Sequence, residues 1–201
     1  MGAPSLSAEL AAAAARIVVE EGLEYGAAKR RAARQAGHSR QLPGNDEIED
    51  AVRAYLLVYR ADSQPAELDA LRRVAAAWME RLAAFRPHLT GAVWRGTATR
   101  QSTVQLQLYC DDPKAAELAL IDQRVRYQVR NIPGARGSPV DVLCVADFSV
   151  PLAESVSVHL TVLDHDDLRG ALKPDARGAS ERGDLAALKK LMQEPTCSDA
   201  S

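Results

Sequence analysis

Apolar residues recur every three to four positions along the first 86 residues, and the period changes to two after Pro87. Leu10, Ala14, Ile17 and Val18 share one face of a helix predicted over 8–21, with Ser7 as its N-cap and Gly22 as its stop. A second helix is expected over 23–36, ending at Gly37, and a third opens at Asn45 or Asp46 with Ile48, Val52, Tyr55 and Tyr59 in one stripe. Pro65 opens the longest, over 65–85, where Leu68, Leu71, Ala75, Trp78, Leu82 and Phe85 alternate by three and four. Beyond Pro87, strands are predicted over 88–95 and 103–110, joined by the polar segment 96–102. In the second strand Val104, Leu106 and Leu108 face one way, and Thr103, Gln105, Gln107 and Tyr109 the other. A helix over 112–123, strands over 126–132, 139–147 and 155–163, and helices over 164–172 and 185–192 complete the pattern. The expected fold class is α+β: a helical N-terminal half packed with a mixed sheet of about five strands. The expected division is a helical region over 1–86, a sheet core over 87–172, and a linker, closing helix and tail over 173–201.

Composition narrows the class of molecule. A chain of 201 residues, 47% of them hydrophobic, can bury a core, which excludes a disordered or fibrous protein. Twenty-five basic against 27 acidic residues leave a formal charge of −2, so no global field draws nucleic acid or anionic lipid. No apolar run reaches the ~18 residues that span a bilayer, and the first ten residues lack a signal peptide's basic start. Cys110, Cys144 and Cys197 show no CxxC spacing, so neither a disulfide framework nor a zinc site is expected, and a cytoplasmic location is.

The chemistry lies in the first hairpin. Leu89-Thr90-Gly91-Ala92 is followed by Val93-Trp94-Arg95-Gly96, and ten residues, Val93 to Ser102, separate Ala92 from Thr103-Val104-Gln105. A glycine there lets a phosphate approach the backbone, and two side chains at i and i+2 on a strand share a face. This arrangement resembles the nucleotidyltransferase superfamily, in which a strand ends in Gly-Ser and an Asp-hydrophobic-Asp strand follows. The resemblance covers roughly residues 89–145 and implies a nucleotidyltransferase-like sheet. In that family three carboxylates bind Mg²⁺ ions that bridge a nucleotide triphosphate. Here Ala92 replaces the serine, and Thr103 and Gln105 replace the paired aspartates. Asp141, flanked by Val140 and Val142, matches the third carboxylate and is the candidate catalytic and metal-binding residue. Gly91, Arg95, Gly96, Arg100 and Ser102 are the candidate nucleotide contacts. A fainter similarity, carried by 87–91 and 168–175, is to bacterial proteins labelled UDP-N-acetylmuramate–alanine ligase. That chemistry needs a Gly-Lys-Ser/Thr loop in a much longer chain, and the sequence has no such loop.

Other groups carry less. His38, His88, His159 and His165 form no HxxxH or HExxH pattern. His159 lies among Val158, Leu160 and Val162, as a sheet histidine does; Asp164, Asp166 and Asp167 around His165 suit the capping of a helix more than a metal. Cys110 precedes two aspartates that raise a thiol pKa, and Cys144 is buried by pattern in the core of a strand, so neither reads as a nucleophile. The Lys29–Arg34 group, with Arg30 and Arg31 inside it and extended by Arg40, is the densest basic patch, which reads as a solvated face without aromatic interleaving for nucleic acid. The expected function is a catalytically degenerate nucleotidyltransferase-like protein that binds a nucleotide or a protein partner without turnover. The alternatives are an active Mg²⁺-dependent nucleotidyltransferase and an assembly protein that oligomerises through its helical half. No membrane or nucleic-acid partner is expected.

Overall fold

A computed structural model describes residues 5–37, 42–134, 137, 139–168, 178 and 180–193. The chain is α+β, with seven α-helices and six strands among the described residues, and it divides into two compact units. One comprises residues 1–67 with 97–102, the other 68–96 with 103–201. The division falls inside the longest helix rather than at Pro87.

The first unit is built on α1 (Leu6–Glu21), α2 (Tyr25–Gln35) and α3 (Asn45–Tyr59). Ala14, Ala15, Ile17 and Val18 of α1, Ala28 and Ala32 of α2, and Ile48, Val52 and Leu56 of α3 form its core. The alanines let the helix backbones approach closely, and the aliphatic side chains supply the buried area. Ser5, not Ser7, caps α1 by accepting from the Ala8 N–H at 3.2 Å; the Ser7 hydroxyl instead donates to Glu47 across the bundle. Residues 97–102 are sewn into this unit. The Thr97 hydroxyl meets that of Tyr25 at 3.3 Å, Gln64 donates to the Ala98 carbonyl at 2.9 Å, and the Arg100 N–H donates to Glu67 at 3.0 Å. Glu67 is itself held by Arg60 at 2.7 Å.

The second unit is organised around a six-stranded sheet in the order β3-β4-β5-β2-β1-β6. The strands are β1 (His88–Thr90), β2 (Val104–Tyr109), β3 (Tyr127–Pro133), β4 (Pro139–Ser149), β5 (Glu154–Leu163) and β6 (Arg182–Gly183). Only β2 and β5 run parallel. The sixth strand lies in the expected linker: two residues suffice to bond the edge of β1, pairing Leu89 with Gly183. Gly183 is required there, because a Cβ would lie 2.1 Å from the Trp94 ring.

One face of the sheet carries Leu89, Val104, Leu106, Leu108, Leu143, Val145, Val158 and Leu160, all buried. The helices of this unit are α4 (Gln64–Arg81, which begins in the first unit), α5 (Gly91–Arg95), α6 (Ala115–Asp122) and α7 (Leu185–Gln193). Leu71, Ala75, Trp78, Met79 and Leu82 form the buried stripe of α4 and the turn after it. The Trp78 indole donates to Asp147 of β4 at 2.8 Å, fixing this stripe on the sheet's apolar face. The helix expected over 65–85 ends at Arg81, and a 3-10 turn (Ala83–Phe85) follows. Of the helix expected over 164–172, residues 164–168 fall within the described residues: Asp164, a 3-10 turn (His165–Asp167) and Leu168. Among the described residues no helix is long and apolar enough to cross a membrane.

Candidate functional site

The predicted strand over 88–95 stops at Thr90. Gly91, with φ 71°, turns the chain into α5, and Gly96, with φ 79°, ends that helix. Both angles lie in the left-handed region that a side chain disfavours. Thr90 pairs with Gln105 on β2, and the Gln105 amide fills the room beside Gly91: a Cβ there would stand 3.0 Å from its oxygen. On the other flank, a Cβ on Gly96 would lie 3.5 Å from the Arg72 guanidinium. Arg72 is buried, donates from Nε to the Val93 carbonyl at 3.3 Å, and braces the α5 turn from α4. Burial lowers its pKa from the usual value, and nearby Asp69 opposes that shift. Arg95 is half-buried in the same short helix.

The other expected contacts fall in different units. Arg100 and Ser102 fold with the first unit, whereas Gly91, Arg95, Gly96 and Asp141 fold with the second. The Ser102 hydroxyl accepts from the Thr99 N–H at 3.0 Å, closing a turn rather than facing a ligand.

Asp141 is not brought to Thr103 and Gln105. Strand β5 lies between β4 and β2, so Asp141 is two strands away from the motif. It also has the wrong parity. Asp141 lies on the face of Leu143 and Leu160, whereas Gln105, His159 and Cys144 line up across β2, β5 and β4 on the opposite face. Its carboxylate is engaged by Asn131, its register partner on β3, at 2.5 Å, and Lys114 lies 3.9 Å away. Among the described residues no group of three His, Cys, Asp or Glu side chains is placed to hold a metal ion.

That opposite, outer face is polar. Thr90 of β1, Gln105 and Gln107 of β2, Ser157, His159 and Thr161 of β5, Cys144 of β4, and Gln128 and Arg130 of β3 share it. Its β3–β4–β5 portion forms an open groove of about 390 Å³, lined by Arg126, Gln128, Arg130, Cys144, Ser157 and His159 among others, with no carboxylate among the described lining residues. Burial lowers the His159 pKa below its ordinary 6.5, and the positive charge of Arg130 lowers it further. The groove is therefore a positively charged wall with neutral hydrogen-bonding groups, which suits an anion.

The remaining candidates have structural roles. Asp164 accepts from the Asp166 N–H at 2.8 Å and caps the 3-10 turn. Lys29 donates to Asn45 at 3.0 Å, and Arg31 bonds Glu21, so part of the basic patch ties helices together. The Cys110 thiol pKa is raised, first by burial and then by Asp112 and Asp111. Cys144, expected as a core residue, is only partly covered and opens on the groove. His38, Arg40 and Cys197 lie outside the described residues.

Sequence reasoning missed Arg72, Arg126, Arg130 and the outward set of β5. Arg72 was accessible, since it is an arginine one turn from Leu68 within the apolar stripe of α4. The convergence of Arg130 with His159 was not, because it depends on β4 pairing with both β3 and β5. No family model matches this chain, and no curated protein resembles it in sequence.

Proposed function

We propose that the chain is a nucleotidyltransferase-like protein that holds a phosphate-bearing nucleotide on the outer face of its sheet without turning it over. The observation that carries this reading is the groove in which Arg126 and Arg130 stand beside Gln128, Ser157 and His159, with no carboxylate among the described residues of the lining. Arginine forks match phosphate oxygens in pairs, and neutral amide, hydroxyl and imidazole groups add donors without repelling the ligand. Two sequence features bear on this reading: the Gly91-Ala92 to Thr103-Val104-Gln105 spacing resembles the family motif, and the residues at its two carboxylate positions, Thr103 and Gln105, are uncharged, which favours binding without turnover. A site that meets phosphate with guanidinium rather than with carboxylate-bound Mg²⁺ needs no metal to bind, and it lacks the charge that would align an attacking hydroxyl.

The test is thermal unfolding of the full chain with each nucleoside triphosphate, in EDTA and in Mg²⁺, with pyrophosphate release followed alongside. The expected result is the same stabilisation in both buffers and no pyrophosphate. A ligand at 100 times its Kd adds about 2.7 kcal/mol, several degrees for a chain of this size. Stabilisation only with Mg²⁺, together with pyrophosphate, would establish an active enzyme instead. No stabilisation by any nucleotide would remove the binding reading.

A further inference from the structure

One end of the outer-face groove adjoins an aromatic side chain. Phe148, near the end of β4, is 63% exposed. Cys144 pairs with His159, Ala146 with Ser157 and Phe148 with Ser155, so Phe148 continues the row of β4 residues on the outer face. Ala146 and Ser157 line the groove, and Phe148 follows Ala146 by two residues, about 7 Å along the strand. Tyr127 pairs with Val145, which brings Arg126, one residue earlier, level with Ala146. Phe148 and Arg126 therefore flank the same end of the groove, set apart by about the length of one ribose.

The strand beneath the ring is anchored on both sides. Asp147 accepts from the Trp78 indole at 2.8 Å, and Ser149 is buried, both on the inner face. Pairing continues to Ser149 with Glu154, so the ring stands on regular strand and not on a loop. Glu154 shares the parity of Ser149, which sets its carboxylate on the other side of the sheet from the ring. Among the described residues Phe148 makes no ring or cation–π contact. Its π face is turned to water beside the exposed Ser155 and Ser157. An aromatic side chain next to a phosphate-binding groove is the arrangement on which a nucleobase stacks.

We propose that Phe148 is the platform for the base of the bound nucleotide, a part that rests on the outer-face reading. The base lies over the ring at the β4–β5 turn, the ribose passes Ser155 and Ser157, and the phosphates run toward Arg126 and Arg130. The direction of the ligand along the groove is thereby fixed. Stacking uses a face that every base has, so the ring separates nucleotides from inorganic polyphosphate and not one base from another.

The experiment titrates ATP and inorganic tripolyphosphate, in EDTA, into the full chain by calorimetry. The proteins are the wild type, Phe148→Ala, Phe148→Leu and Phe148→Trp, each with Tm close to the wild type because the position is exposed. Leucine keeps apolar bulk without a π face, and tryptophan keeps both. The expected result is ATP affinity lower by about fivefold or more in the Ala and Leu variants and retained in the Trp variant, with tripolyphosphate affinity unchanged throughout. ATP, and not tripolyphosphate, should also quench the fluorescence of Phe148→Trp beyond the quenching seen in the wild type. ATP binding that is weakened by Arg126→Ala/Arg130→Ala but not by Phe148→Ala would overturn the platform and leave the groove reading standing. Equal losses of ATP and tripolyphosphate in Phe148→Ala, or full ATP affinity in Phe148→Leu, would overturn the platform as well. No ATP binding to the wild type would overturn the groove reading, and the platform with it.

Discussion

The two faces of the sheet are made by the same strands and serve different ends. On β2, Val104, Leu106 and Leu108 are fully buried, while Gln105 and Gln107 between them are only partly covered. On β5, Val158 and Leu160 are fully buried, and His159 between them looks into the groove. The inner face contributes stability through area removed from water. The outer face contributes hydrogen-bonding groups in register across four strands, which only the pairing of β3, β4, β5 and β2 assembles. Alternation within one strand separates the faces; the order of strands decides which residues meet on each.

The largest expected contrast is in stability. Leu106→Ala removes a fully buried side chain between β1 and β5 and should cost about 2–5 kcal/mol in chemical denaturation. Ser157→Ala, exposed on the other face, should stay within about 0.5 kcal/mol. Comparable losses from the two would remove the distinction between a structural and a functional face.

Next in size is Gly91→Ala. A side chain in left-handed backbone costs about 1–2 kcal/mol, and Gln105 at 3.0 Å adds crowding. Gln105→Ala in the same protein should recover the crowding part alone, measured as a double-mutant cycle. Full recovery would mean that the backbone at Gly91 carries no strain.

A smaller effect follows from His159. Its pKa is lowered in the folded protein, so below 6.5 the unfolded chain binds the proton more readily. The contribution of His159 is complete above 6.5 and is lost as pH falls from there toward the folded value. His159→Gln should flatten that part of the stability profile. A phosphate ligand beside the ring should oppose the shift, giving proton uptake on binding below neutral pH.

Thr103→Asp/Gln105→Asp tests the lineage, with the smallest signal. Two carboxylates two residues apart, one just before β2 and one on it, should give Mg²⁺ or Mn²⁺ binding that exceeds that of the wild type. No gain would mean that the likeness of this hairpin to the nucleotidyltransferase motif is accidental.

The sequence pattern reveals the elements better than their meeting points. The stripes of Leu10–Val18 and Ile48–Tyr59 predict α1 and α3, and the alternation in 103–110 predicts β2 with its correct faces. The hairpin was half legible: Gly91 marks a turn, but nothing local shows that Val93 and Trp94, residues suited to strands, enter a five-residue helix. β6 escapes notice because two residues carry no periodicity. Asp141 was misplaced because its apolar flanks identify a strand without saying which strands lie beside it. The groove depends on the same long-range pairing, so Arg130 and His159, 29 positions apart, give no shared local signal.

The central claim is that the outer face binds a phosphate-bearing nucleotide through Arg126 and Arg130 without metal. Calorimetric titration of ATP in EDTA, into the wild type and into Arg126→Ala/Arg130→Ala, tests it directly. The account predicts binding to the wild type and affinity at least about tenfold lower in the variant, with Tm unchanged because both arginines are exposed. Absence of binding to the wild type, or equal affinity in the two proteins, would contradict it.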